Sequence, residues 1–100
     1  VEEALAFEQA GAFGILLEGT MSSVGSEITK QVHVPVIGIG SGVNVDGQVL
    51  VWSDMLGFFE DFKPKFVKRY LDGADIVRKS VQSYANDVKG KIFPSEEFCY

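Results

Sequence analysis

The chain has 100 residues, a single-domain length, and its 46% hydrophobic and 23% charged content is ordinary for a globular protein. Nine Lys and Arg against fourteen Asp and Glu leave a net charge of −5, which excludes a general binder of nucleic acid or anionic membrane, since either needs a basic face. A single cysteine, Cys99, excludes an internal disulfide framework, and no stretch approaches the ~20 apolar residues of a membrane-spanning helix.

Residues 1–10 set Val1, Ala4, Leu5 and Ala10 among Glu2, Glu3, Glu8 and Gln9, an amphipathic helix that stops at Gly11. Val1-Glu2-Glu3 has no initiator methionine and no basic leader. It reads as a helix entered partway, so further residues are expected upstream. Ala12-Phe13-Gly14-Ile15-Leu16-Leu17 is then apolar on both faces, the pattern of a parallel strand covered on both sides, and Glu18 ends it. Ser22 or Ser23 is placed to cap a second helix carrying Met21, Val24, Ile28 and Val32 on one face.

A second strand is expected over Val34-Pro35-Val36-Ile37-Gly38-Ile39, with Pro35 suited only to its beginning. A glycine-rich loop, residues 40–47, leads to a third apolar run, Val49-Leu50-Val51-Trp52, which ends at Ser53-Asp54. Pro64 is expected to open a helix with Phe66, Val67, Tyr70 and Leu71, interrupted at Gly73. Val77, Val81, Tyr84 and Val88 then hold one helical face until Gly90. Lys63, Lys65, Lys68, Arg69, Arg78 and Lys79 alternate with these apolar residues and read as a solvated helix face. The tail from Ile92 to Tyr100 is short and irregular.

Strands alternating with helices predict an α/β fold with parallel strands in one unit, residues 1–100. The link between the second and third strands is shorter than the dozen or so residues of a usual parallel crossover. Two arrangements therefore stay open: an antiparallel pair, or parallel neighbours whose crossover helix is reduced.

In α/β folds ligands gather at the carboxyl ends of parallel strands. Glu18 lies at such an end, either as a proton acceptor whose affinity for the proton is raised by partial desolvation, or as a solvated, helix-capping glutamate. Gly40, Ser41 and Gly42 belong to a loop whose backbone can approach an anion, or which simply makes a tight turn. No Lys-Ser/Thr follows it, and no G-x-G-x-x-G opens a helix there. Asp46 and Asp54 flank the third strand as metal ligands or orienters, or as ordinary turn and cap residues. His33 precedes a strand and reads as a surface histidine. Cys99 stands too near the end, with nothing around it to activate a thiolate. Neither a zinc-site spacing nor a nucleophile elbow is present.

The series Glu18, Val36-Ile37-Gly38-Ile39-Gly40-Ser41-Gly42, Asp46-Gly47-Gln48-Val49-Leu50-Val51, Asp54-Met55-Leu56-Gly57, Pro64-Lys65-Phe66-Val67-Lys68 and Phe93-Pro94-Ser95-Glu96-Glu97 resembles the ketopantoate hydroxymethyltransferase family over essentially the whole chain. The resemblance implies a (β/α)8 TIM barrel, of which these residues supply about strands 6 to 8 and the closing helices; a complete barrel takes ~250 residues. It implies transfer of a hydroxymethyl group from 5,10-methylenetetrahydrofolate to 3-methyl-2-oxobutanoate, giving 2-dehydropantoate on the route to pantothenate. Mg2+ polarises the keto acid in that family, and Glu18 matches its proton acceptor. The family's metal-binding acids and substrate-binding lysine belong to earlier strands, so no residue here is assigned to them.

The resemblance further implies a homo-oligomer acting on small molecules, cytoplasmic in bacteria and mitochondrial in eukaryotes. Two departures lie at the barrel mouth: Gly19-Thr20-Met21 replaces the common Cys-Val-Pro, and Ser53 stands where histidine is frequent. The 100 residues alone are expected to be inactive. Two other readings remain: a non-catalytic half-barrel that pairs with another chain, and a related barrel enzyme using a different 2-oxo acid.

Overall fold

A computed structural model describes all 100 residues, in the order α1 (Glu2–Gln9), β1 (Ile15–Glu18), α2 (Ser22–Gln31), β2 (Val36–Ile39), β3 (Gly47–Gln48), α3 (Trp52–Met55), α4 (Gly73–Lys89) and a 3-10 turn at Glu96–Phe98. The strands form one parallel sheet in sequence order. Ile15, Leu16, Leu17 and Glu18 face Val36, Ile37, Gly38 and Ile39 in register, and Ile37 and Gly38 face Gly47 and Gln48. The α/β expectation holds. Of the two arrangements left open for the second and third strands, the parallel one is found, joined directly through residues 40–46.

One face of the sheet is covered. Ala4 of α1, Ile28 of α2, Val32 and the fully buried Val36 make the core, with Leu5, Ile15, Leu17, Val24 and Val34 packed against it. Val45 joins them from the link between β2 and β3, so a loop side chain occupies the place of a crossover helix. Burying a Val or Ile side chain contributes roughly 1.5–3 kcal/mol, which makes this small cluster the main apolar anchor of the amino-terminal half.

Alternation along β1 turns Leu16 and Glu18 to the opposite face, where Leu16 is 62% exposed. The expected burial of this strand on both sides is therefore corrected: within these residues only one layer of helices exists. Leu16, Ile37 and Val49 border an open apolar hollow on the uncovered face.

Three further expectations change. The third apolar run is not a strand through Trp52, because pairing continues only as far as the Val49 N–H donating to the Gly38 carbonyl, and Trp52 already begins α3. No helix forms over residues 64–71: beyond a single turn closed by Val67 N–H on Pro64 C=O, the Tyr70 N–H donates to Met55 C=O. Tertiary partners take donors that a helix would use internally. Gly73 does not interrupt a helix but begins α4, its N–H donating to Leu56 C=O at 2.8 Å. Ser22 and Ser23 lie inside α2, where Met21 is the N-cap and no side chain caps the helix.

The α4 helix leaves Val77, Val81, Tyr84 and Val88 exposed along one side, and the molecule is 66 Å long with a radius of gyration of 22.2 Å. A compact domain of this length has a radius near 13 Å. The tail folds back only on the end of α4, with the Tyr84, Phe93 and Phe98 rings meeting edge to face or tilted. No helix is long and apolar enough to cross a membrane.

Candidate functional site

The loops after β1 and β2 leave the sheet at its carboxyl end and enclose a groove of about 700 Å³. Gly19, Thr20, Met21 and Ser22 line one wall, Gly40, Ser41, Gly42 and Val43 the other, with Gln48, Lys65 and Phe66 completing it. The two loops approach closely because the sequence removes side chains between them. Gly42 sits at φ +86°, and a Cβ there would stand 2.6 Å from the Ser22 Cβ. Gly25, inside α2, allows the Ser41 carbonyl to approach to where its own Cβ would lie only 2.6 Å away. The Phe66 ring lies over Gly40, and Gln48 Nε2 donates to the Gly42 carbonyl at 2.8 Å.

Ser41 is 1% exposed, so its side chain points inward rather than into the groove. Its hydroxyl donates to the Leu17 carbonyl at 2.9 Å and accepts the Thr20 N–H at 3.2 Å. A buried hydroxyl without partners would cost folding free energy, and here both of its roles are filled. Of the three loop candidates, Gly40 and Gly42 can present backbone to a ligand, while the Ser41 side chain is committed to the fold.

Glu18 is the last residue of β1, exposed on the uncovered face, and is followed directly by the first residue of the groove wall. No ion pair holds its carboxylate: the three in the chain join His33 to Glu8, Arg78 to Glu60 and Lys79 to Asp75. Arg78 and Lys79 thus lie on a solvated helix face. Lys79 is the one group whose proton affinity is clearly displaced; hydrogen bonding to Asp75 and the charge of that carboxylate raise it. It belongs to α4 and not to the groove.

The remaining candidates are not brought to this end. Asp46 lies at the amino end of the sheet, where its carboxylate accepts the Val36 N–H at 2.8 Å and its own N–H donates to Val36 C=O at 2.9 Å. Asp54 lies in the first turn of α3, outside the groove lining. The His33 side chain is 93% exposed and its backbone N–H donates to the Glu8 carboxylate. Cys99 is exposed, its thiol directed to the Ser95 carbonyl. No three His, Cys, Asp or Glu side chains cluster in a way that could hold a metal ion. These residues therefore do not by themselves fit an Mg2+ site.

Sequence reasoning did not find Thr20, Gln48, Lys65 and Phe66 as groove residues, nor the inward hydroxyl of Ser41. One signal was available: a glycine at 25, inside an amphipathic helix, marks a place where another backbone comes close.

Comparison with known proteins adds three findings. A family model described as ketopantoate hydroxymethyltransferase matches residues 1–96. Proteins named 3-methyl-2-oxobutanoate hydroxymethyltransferase are similar throughout: that of Campylobacter concisus is 85% identical over 100 residues, that of Campylobacter curvus 74% over 100, and that of Aliarcobacter butzleri 61% over 97. The matches take 100%, 100% and 97% of this chain but only 37%, 37% and 36% of the relatives, so the chain spans little more than a third of their length.

Proposed function

This chain belongs to the ketopantoate hydroxymethyltransferase family, and from that premise we propose that it carries the proton-accepting side of a hydroxymethyltransferase site, with Glu18 as the base. In this reading the whole protein transfers a hydroxymethyl group from 5,10-methylenetetrahydrofolate to 3-methyl-2-oxobutanoate, giving 2-dehydropantoate for pantothenate synthesis. The relatives' names support the transferase and the keto acid. The folate donor is part of the proposal.

The observation that carries the reading is the position of Glu18. It ends a parallel strand, faces the side of the sheet left open, and adjoins a groove built from two strand-to-helix loops. A carboxylate free of ion pairs can take a proton from carbon once a keto acid lies against it. Loss of the C3 proton leaves the electron pair on an enolate, whose C3 then bonds to the one-carbon unit as that carbon's bonds to the folate nitrogens break. Water supplies the hydroxyl oxygen and tetrahydrofolate leaves. Hydrogen bonds on the Leu17 carbonyl and on the Gly19 and Thr20 N–H groups hold the backbone on either side of the carboxylate.

The parallel sheet, with one helix-covered face and one apolar open face, is what a segment of a (β/α)8 barrel would present, and we assign the chain to the strand 6 to 8 region of such a barrel. Mg2+ would supply Lewis acidity toward the keto acid. With no three-ligand cluster in these residues, we assign its ligands to acids outside them and derive no step through it.

The test is Glu18→Gln in the full-length protein, read two ways. Deuterium exchange at C3 of the keto acid, followed by NMR without any folate donor, isolates proton abstraction. Turnover with the donor reports the whole reaction. Removing a general base lowers rates by roughly 10²–10⁴-fold, with Mg2+ affinity retained. Wild-type C3 exchange in the variant ends the assignment.

A further inference from the structure

We propose that Ser41 is a positioning residue for the Glu18 carboxylate, acting through the backbone on either side of it. This rests on Glu18 being the proton acceptor. Ser41 is the one polar residue that is buried, at 1% exposure. Its hydroxyl donates to the carbonyl of Leu17 at 2.9 Å, immediately before Glu18, and accepts the N–H of Thr20 at 3.2 Å, two residues after it. One hydroxyl therefore grips the chain on both sides of the Glu18-Gly19 step.

Glu18 has no ion pair to aim it. Its direction is set by the backbone that carries it. The sheet ladder fixes that backbone from one side, through the Gly19 N–H donating to Ile39 C=O at 2.9 Å, but ends there. Beyond it the Ser41 hydroxyl receives the Thr20 N–H, the hydrogen bond that holds the turn into α2 next to Glu18.

The clamp is itself rigid. The Ser41 backbone is seated against Gly25 of α2, and Val45 packs over Gly25 and Gly38 beside it. Packing alone would be as well served by alanine, which needs no hydrogen-bond partners in a buried place. The hydroxyl adds direction, not volume.

Four forms of the full-length protein decide this: wild type, Ser41→Ala, Glu18→Gln and the double variant. For Ser41→Ala we expect kcat and C3 exchange to fall together by roughly tenfold or more, the size of effect produced when a reacting group is misplaced by a fraction of an ångström to an ångström. KM for the keto acid should stay within about twofold, because binding and transition-state terms separate in this way. The double variant should be no slower than Glu18→Gln alone, since a clamp has nothing left to position. Ser41→Cys, nearly the same shape but a weaker donor, should fall between wild type and alanine, and it stands in should Ser41→Ala fail to fold.

Wild-type kcat in Ser41→Ala, beside an impaired Glu18→Gln, overturns the clamp and leaves the base standing. Losses that multiply in the double variant overturn it as well. So does a Ser41→Ala defect that appears only as lower thermal stability with normal C3 exchange. Normal C3 exchange in Glu18→Gln removes the base assignment itself, and the clamp with it.

Discussion

Asp46 offers a clean separation between bracing and chemistry. Its carboxylate accepts the N–H of Val36, a residue with no exposure, at 2.8 Å, while the Asp46 N–H returns a bond to Val36 C=O at 2.9 Å. Together these tie the start of β2 to the residue just before β3. Asp46→Ala removes the acceptor and leaves the Val36 N–H unpaired, at a cost of about 1–3 kcal/mol, with the upper half favoured because the lost acceptor is charged. Asp46→Asn keeps an acceptor oxygen and should lose less than about 1 kcal/mol. At ~2 kcal/mol the folded-to-unfolded ratio falls by up to about 30-fold. The measurements are the urea unfolding midpoint and the hydrogen-exchange rate of the Val36 amide, both in the full-length protein. We expect the order wild type, Asn, Ala in each, with Mg2+ affinity and KM unchanged. Unaltered amide exchange in Asp46→Ala would refute the bracing role. Lost Mg2+ affinity in both variants at normal stability would return Asp46 to the metal ligands.

Gly25→Ala should destabilise the protein even though alanine is the better helix former by ~1 kcal/mol. Its Cβ would stand 2.6 Å from the Ser41 carbonyl oxygen, and overpacking of this kind costs typically ~1–3 kcal/mol; a raised melting temperature would contradict the close approach. Residues 1–100 in isolation should show no turnover with Mg2+, folate donor and keto acid, and should bind a hydrophobic dye through the open face around Leu16, Ile37 and Val49. Robust turnover, or a dye-silent cooperative monomer, would count against that expectation.

The two central strands were legible because Ile15-Leu16-Leu17 and Val36-Ile37 carry their assignment in local composition. Their parallel neighbour was only half legible. Nothing in residues 40–47 distinguishes a turn that reverses the chain from one that steps it sideways, since the choice depends on Asp46 reaching the far end of β2. The helix expected over residues 64–71 failed for a related reason. Phe66, Val67, Tyr70 and Leu71 have helical spacing, yet Tyr70 and Gly73 donate to carbonyls of Met55 and Leu56, more than a dozen residues away. Periodicity cannot report partners so distant in sequence. At the site, Glu18 was visible as an abrupt charge after an apolar run. Ser41 was visible only as part of a flexible-looking loop, because the partners of its buried hydroxyl, Leu17 and Thr20, lie more than twenty residues away.

Val45 gives the link between β2 and β3 a second duty. Loops at the carboxyl ends of strands are where sequences are ordinarily lengthened and varied without harm to the scaffold. Here the same short segment rims the groove and delivers Val45 into the core, within van der Waals reach of the spaces left by Gly25 and Gly38. An insertion that widened the groove would withdraw that side chain and open a void beneath α2. Anyone diversifying this site for a larger substrate should hold the length of residues 40–46 constant and vary the exposed Met21 side chain on the opposite wall instead.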